Sequence, residues 1–511
     1  MSSESRGCPA VAIIGIGLCA AMYFIVSLMM TSGNQLGLLF RLILAGAALL
    51  GIWQPRRGVF MLVLLSGYTD LMKRMLVLVD KISYEDLTYV LATPPVLMLS
   101  ITVGTLAKCM AGSLKFGPVQ MKSIGLAAMC AVAALITAAK SASGFATMAQ
   151  DLANGAAYSA FILVIPLLFP EIKDQLKLLK IVFIGFVPVA LYGMYQAMFG
   201  LANFEVEYLK TGLSILISQI ITGEVRPFST LNSPTALGAI CAMLALMAFL
   251  SGPTERRSRS LPSMRALLLG LCYLAGVIAS TSRSDLFIIF AGGIMAVAAL
   301  RQSTTRFVYG VGLACYTTLI LAATWLQDRL ADMQAFVSYY LPPESVFIDQ
   351  ITRVQTFSDR LEGFRHLVSD GRIWTLFGAS ENVKGSLASH DPLTTALLAH
   401  GVVPVVILLV FLCFLLVRIH RSIWALQDSR QRWIAAASLG IVLGLVATCM
   451  VSGNRMTIFP VNLFMWLFVG VMWANTSQQG SVVPAAAETP VMPPAPPVVR
   501  QCYPLRMARR R

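Results

Sequence analysis

Charge is what this chain has least of. Of 511 residues only 12% are Asp, Glu, Lys or Arg, about half of what a soluble chain of this length carries. That excludes an ordinary water-soluble globular protein. Histidine is also scarce, with four in the whole chain. Ten cysteines are present, but none has a CxxC partner and none falls between 327 and 391. The spacing argues against a cysteine metal site and against a disulfide framework, so these cysteines read as small packing residues in apolar surroundings. No internal repeat is visible. No A-x-A site follows the first apolar run, Val11 to Met30, which is longer than the core of a cleaved signal. It is expected to be an uncleaved first span.

What the chain has instead is apolar length. It is 57% hydrophobic with a mean hydropathy of +0.75. The apolar residues fall in runs of roughly 17 to 25, the length that crosses a bilayer core as helix. The expected fold class is all-α: a polytopic transmembrane helical bundle of about 14 spans. The expected spans are 11–30, 36–53, 58–72, 87–107, 123–139, 157–170, 181–199, 233–250, 266–281, 285–300, 307–326, 393–417, 434–451 and 457–474. The third and sixth are short, as tilted, broken or interfacial segments would be.

The net charge is +15. In an apolar chain this is topogenic, since Lys and Arg gather on the cytoplasmic side of membrane proteins, and no nucleic-acid partner is expected. With a cytoplasmic N-terminus (1–10) and strict alternation, the inside segments hold 24 of the 39 Lys and Arg, including Arg256–Arg265 and Arg418–Arg432. Both termini are then cytoplasmic. Within the 11–326 helical region one long segment, about 200–231, faces outward. A larger outward loop, 327–391, separates it from the last spans, 392–474. Val354, Phe357, Leu361, Phe364 and Val368 recur there at helical spacing, so the loop should form a partly helical lid. The tail, 475–511, is rich in Pro, Ala and Val and ends in Arg509-Arg510-Arg511. It is expected to be disordered and cytoplasmic, with a basic end able to meet anionic lipid.

Outward-facing polar groups beside the expected bilayer are few. Arg226 ends the first long loop. Arg283 sits in the tight hairpin Ser280-Thr281-Ser282-Arg283-Ser284-Asp285. Arg360 and Arg365 lie on the loop helix, and His390 ends that loop. A guanidinium is a permanent cation whose fork of donors fits phosphate oxygens, and histidine takes a hydroxyl proton near neutral pH. Each residue has a plainer role open to it. An Arg at a span end reaches lipid headgroups, Arg283 pairs with Asp285, and His390 starts a helix with Asp391-Pro392. His366, His400 and His420 read as structural or surface residues, His400 lying inside a helix before Gly401.

At these positions the sequence resembles the O-antigen ligase and O-antigen/exopolysaccharide polymerase family of bacterial membrane glycosyltransferases. The resemblance runs in order over about 225–420. Arg226-Pro227-Phe228-Ser229-Thr230-Leu231-Asn232-Ser233-Pro234-Thr235-Ala236-Leu237-Gly238 is similar to the family's Arg, Asn-Pro and Gly segment. Thr281-Ser282-Arg283 is similar to its Thr-x-Ser-Arg hairpin. Arg360 and Phe364 with Leu376-Phe377-Gly378, and then Ser389-His390-Asp391 with Gly401, resemble its loop motifs. The chain departs from the pattern at Asp391, where the family usually has Asn, at Ser233, which interrupts Asn-Pro, and in its long tail.

The resemblance implies helices around a lateral cavity, with the loop as lid. It implies an undecaprenyl-diphosphate-linked oligosaccharide donor, a glycan or lipid A-core acceptor and surrounding membrane lipids, with no cofactor and no metal. Arg226 and Arg283 would bind the diphosphate and His390 would activate the acceptor hydroxyl, with Arg360 and Arg365 as further substrate contacts. The expected activity is an inverting, metal-independent transfer on the outer face of the bacterial inner membrane, polymerising exopolysaccharide or O-antigen repeat units or, as the alternative, ligating O-antigen to lipid A-core. Polysaccharide export or chain-length-control proteins would be natural partners. A polysaccharide flippase is the reading from a different class, and a non-catalytic export scaffold a third. Transporters usually show internal repeats and charge at the bilayer midplane, whereas the charged candidates here lie at span ends.

Overall fold

A computed structural model describes residues 35–78, 84–114, 117–141, 156–211, 226–250, 263–300, 401–452 and 455–477, with residues 312, 374–376 and 397. All regular structure among them is helical. The α-helices are α1 Gln35–Trp53, α2 Pro55–Ser66, α3 Thr69–Val77, α4 Tyr84–Met110, α5 Pro118–Ser141, α6 Phe161–Leu168, α7 Ile172–Phe199, α8 Asn203–Lys210, α9 Pro234–Leu250, α10 Met264–Ala279, α11 Leu286–Ala299, α12 Val402–Ala425, α13 Ser429–Ser452 and α14 Val461–Ser477. Short 3-10 turns precede α6, at Ala157–Ala160, and α11, at Arg283–Asp285. The expected spans at 11–30 and 307–326, the lid and the tail lie outside the described residues, apart from isolated positions.

Among the described residues, four helical segments are long and apolar enough to cross a membrane: Asp86–Met110, Ile172–Phe199, Val402–Ala425 and Ser429–Cys449. Seven further apolar helices are shorter. Large apolar side chains cover the outside of the bundle, among them Ile184, Leu268, Phe290, Ile407, Val410 and Phe414. An exterior of this kind is unstable against water and matches a lipid surround, so the chain has the make-up of a membrane protein.

Two expected spans are not single helices. The segment 58–72 breaks at Gly67-Tyr68 between α2 and α3. The twelve residues of α2 rise only about 18 Å at 1.5 Å each, and Thr230 Oγ1 donates to the Gly67 carbonyl at 2.6 Å, holding the break. The segment 157–170 is one 3-10 turn and the eight-residue α6, all of whose residues are buried; it is short because it is enclosed by other helices. Of the expected span 393–417, the structure describes Leu397 and the residues from Gly401 onward. Gly401 has φ +83°, a conformation glycine tolerates, and α12 starts afresh at Val402 and runs to Ala425. His400 lies outside the described residues, and His420 is buried.

The core is built around α9, which is apolar on every side, as an enclosed helix is, and is buried over most of its length. It packs against α10, α11, α13 and α7. The α11–α13 contact is a backbone approach through small residues: a Cβ at Gly292 would lie 2.6 Å from the Gly440 carbonyl oxygen, and one at Gly444 2.7 Å from that of Ile288.

Polar contacts gather at two ends of the bundle. α7, 28 residues long and so about 42 Å, connects them. Around its start lie the Arg56–Asp174 ion pair, the Asn475–Gln175 hydrogen bond (2.6 Å) and the Trp473–Ser123 hydrogen bond (2.7 Å). Around its finish lie Gln196, Glu205 and the loop 226–233.

Candidate functional site

The loop 226–233 reaches the start of α9 in a shape its own sequence does not favour. Ser229 has φ +56°, an uncommon conformation for a residue with a Cβ. Neighbouring elements hold it there. The Phe228 and Ser229 amides donate to Gln196 Oε1 at 3.0 and 2.6 Å, and Ser229 Oγ donates to the Val189 carbonyl at 2.5 Å. Arg74 Nη2 donates to the carbonyls of Ser229 and Leu231 at 2.7 and 3.2 Å.

From this loop Arg226, half-buried, reaches the α10–α11 hairpin. Its Nε donates to Thr281 Oγ1 at 2.5 Å and its Nη2 to the Ser280 carbonyl at 3.1 Å. Thr281, at φ +54°, turns the chain out of α10. The tip, 280–285, is gripped from another direction by Arg455, which is almost fully buried (3% exposed). Arg455 Nε lies 2.8 Å from Asp285 Oδ1, and its Nη2 donates to Ser284 Oγ at 2.6 Å and to Ser282 Oγ at 3.4 Å.

Asp285 lies in the turn between α10 and α11 and is fully buried. Its carboxyl interacts with Arg455, Ser282 and Arg226. Gly238 is what admits it: a Cβ there would collide with the Asp285 carboxylate and lie 2.7 Å from Ser280 Oγ. Arg226 and Gly238, twelve positions apart in one motif, thus act on the same hairpin, one by hydrogen bonds and the other by leaving room.

Of the residues singled out from sequence, Arg226 and the hairpin 280–285 come together, and Arg283 is placed by its backbone in the turn Arg283–Asp285. His390, Arg360 and Arg365 lie outside the described residues. Of the neighbouring loop, the Thr375 and Leu376 carbonyls accept from the Val402 and Val403 amides at 2.9 and 3.2 Å, so part of it closes the first turn of α12. Asp285 takes Arg455 as its ion-pair partner.

No family profile, curated protein or solved structure matches this chain.

Sequence reasoning missed Arg455. Its signal was available, since it sits in a short polar break between two apolar runs, on the side that strict alternation assigns to Arg226 and Arg283. It also missed the unit formed by Arg74, Gln196 and Glu205. Arg74 lies just past the short third span, 58–72, and Glu205 in a segment read as loop. Chemically, the assembled end presents guanidiniums and hydroxyls around one tight turn, with one carboxylate neutralising part of the charge. Such a set suits an anionic group held at the end of a helical bundle.

Proposed function

We propose that this protein transfers a glycan from a polyprenyl diphosphate to an acceptor hydroxyl on the outer face of a bacterial inner membrane, polymerising exopolysaccharide or O-antigen repeat units. The observation that carries this reading is the meeting of Arg226, the 280–285 hairpin and Arg455 at one end of the bundle. Arg226 and Arg283 hold the diphosphate, Arg360 and Arg365 contact the glycan, and His390 is the base. The acceptor oxygen gives its proton to His390 and bonds to the anomeric carbon. The bond from that carbon to the diphosphate breaks, its electron pair leaves with the diphosphate, and the guanidiniums stabilise that charge. Attack opposite the leaving group inverts the anomeric centre, and no metal takes part.

The test is what accumulates when the gene is deleted. Lipid-linked single repeats support polymerisation. Full-length lipid-linked chains missing from lipid A-core would replace it with ligation, and material trapped in the cytoplasm would replace it with flipping.

Arg226→Lys checks the anion site directly. Lysine keeps the charge but loses the fork that serves both hairpin and phosphate. The expected cost is on the order of 1.5–3 kcal/mol, or roughly 10- to 150-fold in transfer rate at matched protein levels. Wild-type output from this variant would overturn the diphosphate role of Arg226 and leave it a residue that contacts the hairpin.

A further inference from the structure

Arg74, Glu205 and Gln196 lie on three different helices, α3, α8 and α7, and all are buried at 3% exposure or less. Arg74 Nη1 donates to Glu205 Oε1 at 2.7 Å, and its Nε donates to the Asp70 carbonyl at 3.2 Å. The guanidinium also lies 4.6 Å from the Phe228 ring centre. Both Glu205 oxygens accept from Gln196 Nε2, at 2.8 and 2.9 Å, and Oε2 accepts from the Ala202 amide at 3.2 Å. A carboxylate, a guanidinium and an amide thus share their donors and acceptors, and the Tyr192 side chain also hydrogen-bonds with Glu205 and Gln196.

This set is aimed at one stretch of backbone. Gln196 takes the amides of residues 228 and 229, and Arg74 supplies the carbonyls of 229 and 231. A buried ion pair is costly to assemble and contributes little net stability over apolar packing, so a core needing only cohesion would gain little from one. What it does here is fix a peptide in a left-handed turn, two or three residues from the guanidinium that grips the hairpin.

We infer that Arg74, Glu205 and Gln196 are positioning residues that hold the 228–231 backbone so that Arg226 meets the 280–285 hairpin. The inference deepens the donor-binding reading and rests on it only for what Arg226 binds. Glu205 is the pivot. Its charge orients Arg74 and its second oxygen orients Gln196, so Glu205→Gln, of the same shape, weakens the hold on both edges of the loop. Gln196→Met removes the acceptor for the two amides, together with the Nε2 donor to the Glu205 carboxylate, and leaves the net charge unchanged.

The test uses the full chain in membranes, with the ten native cysteines replaced by alanine or serine. Thiol crosslinking between Arg226→Cys and Thr281→Cys reports the loop's place. Crosslinking between Arg56→Cys and Asp174→Cys reports the opposite end of the bundle. Glu205→Gln or Gln196→Met is expected to slow the first crosslink about 10-fold, as loss of a charge-assisted buried hydrogen bond does, and to leave the second unchanged. Without the new cysteines, Glu205→Gln should weaken binding of undecaprenyl diphosphate in nanodiscs about 10-fold, but not weaken it further in the Arg226→Ala background. An unchanged first crosslink in both variants overturns the inference, as does a first crosslink that fails only together with the far-end one. If the first crosslink alone fails while the unsubstituted chain does not bind undecaprenyl diphosphate, the positioning stands and the donor-binding reading falls.

Discussion

His390→Ala is expected to insert and fold normally and to lose glycan transfer by roughly 10²–10⁴-fold, the contribution of a positioned general base. His390 ends the segment that sequence assigns to the outer loop, and Asp391-Pro392 after it is a helix start signal. A helix N-terminus carries partial positive charge, which favours the neutral imidazole a base requires, while the Asp391 carboxylate favours the protonated ring. In the proposed transfer the neutral ring would accept the acceptor's proton as its oxygen attacks. The diphosphate leaves as a stabilised anion, so no second proton donor is required of the protein. The measurement is transfer of a lipid-linked oligosaccharide by purified protein, with His366→Ala and His400→Ala as variants expected to stay active. Near wild-type transfer by His390→Ala would move the search for a base elsewhere, first to Asp391. Asp285 is a poorer candidate for a base, since its carboxyl is fully buried and ion-paired with Arg455.

The second large effect concerns stability. Arg455→Met fills a similar volume but leaves Asp285 as a fully buried carboxylate without its ion-pair partner. Removing one member of a buried pair costs about 3–5 kcal/mol. The variant is expected to melt well below the unsubstituted protein in detergent. Adding Asp285→Asn removes the stranded charge and should recover a large part of the loss. If Arg455→Met melts like the unsubstituted protein, the hairpin is held by Arg226 and helix packing, and the ion pair contributes nothing there. The double variant also separates stability from chemistry, since a recovered fold with poor transfer would show that the exact set of the tip matters to the reaction.

Much of the helix layout is readable in one dimension. The expected spans 36–53, 87–107, 233–250, 266–281 and 285–300 coincide with α1, α4, α9, α10 and α11 to within about three residues, because apolar run length and the polar residues ending each run act locally. The short third and sixth segments were visible as short, but not what makes them so. A helix break at Gly67 depends on Phe186 beside it and on Thr230 bonded to its carbonyl, both far along the chain. The hydrogen-bonding role of Glu205 was not readable either, since a Glu in a segment read as loop looks solvated until α3 and α7 close over it.

By itself the sequence determined that this is a helical chain with membrane-length apolar segments, and that most of its few charges lie outside the expected spans. Those properties follow from the cost of exposing apolar surface to water and of carrying charge through a bilayer, which each segment meets alone. Only the tertiary structure decided which charges meet. Arg455 reaches Ser284, 171 positions earlier, and Arg74 reaches Glu205, 131 positions later. Such pairs form because helix packing fixes their distance and excludes water between them, and neither residue's own neighbours in the chain carry that information.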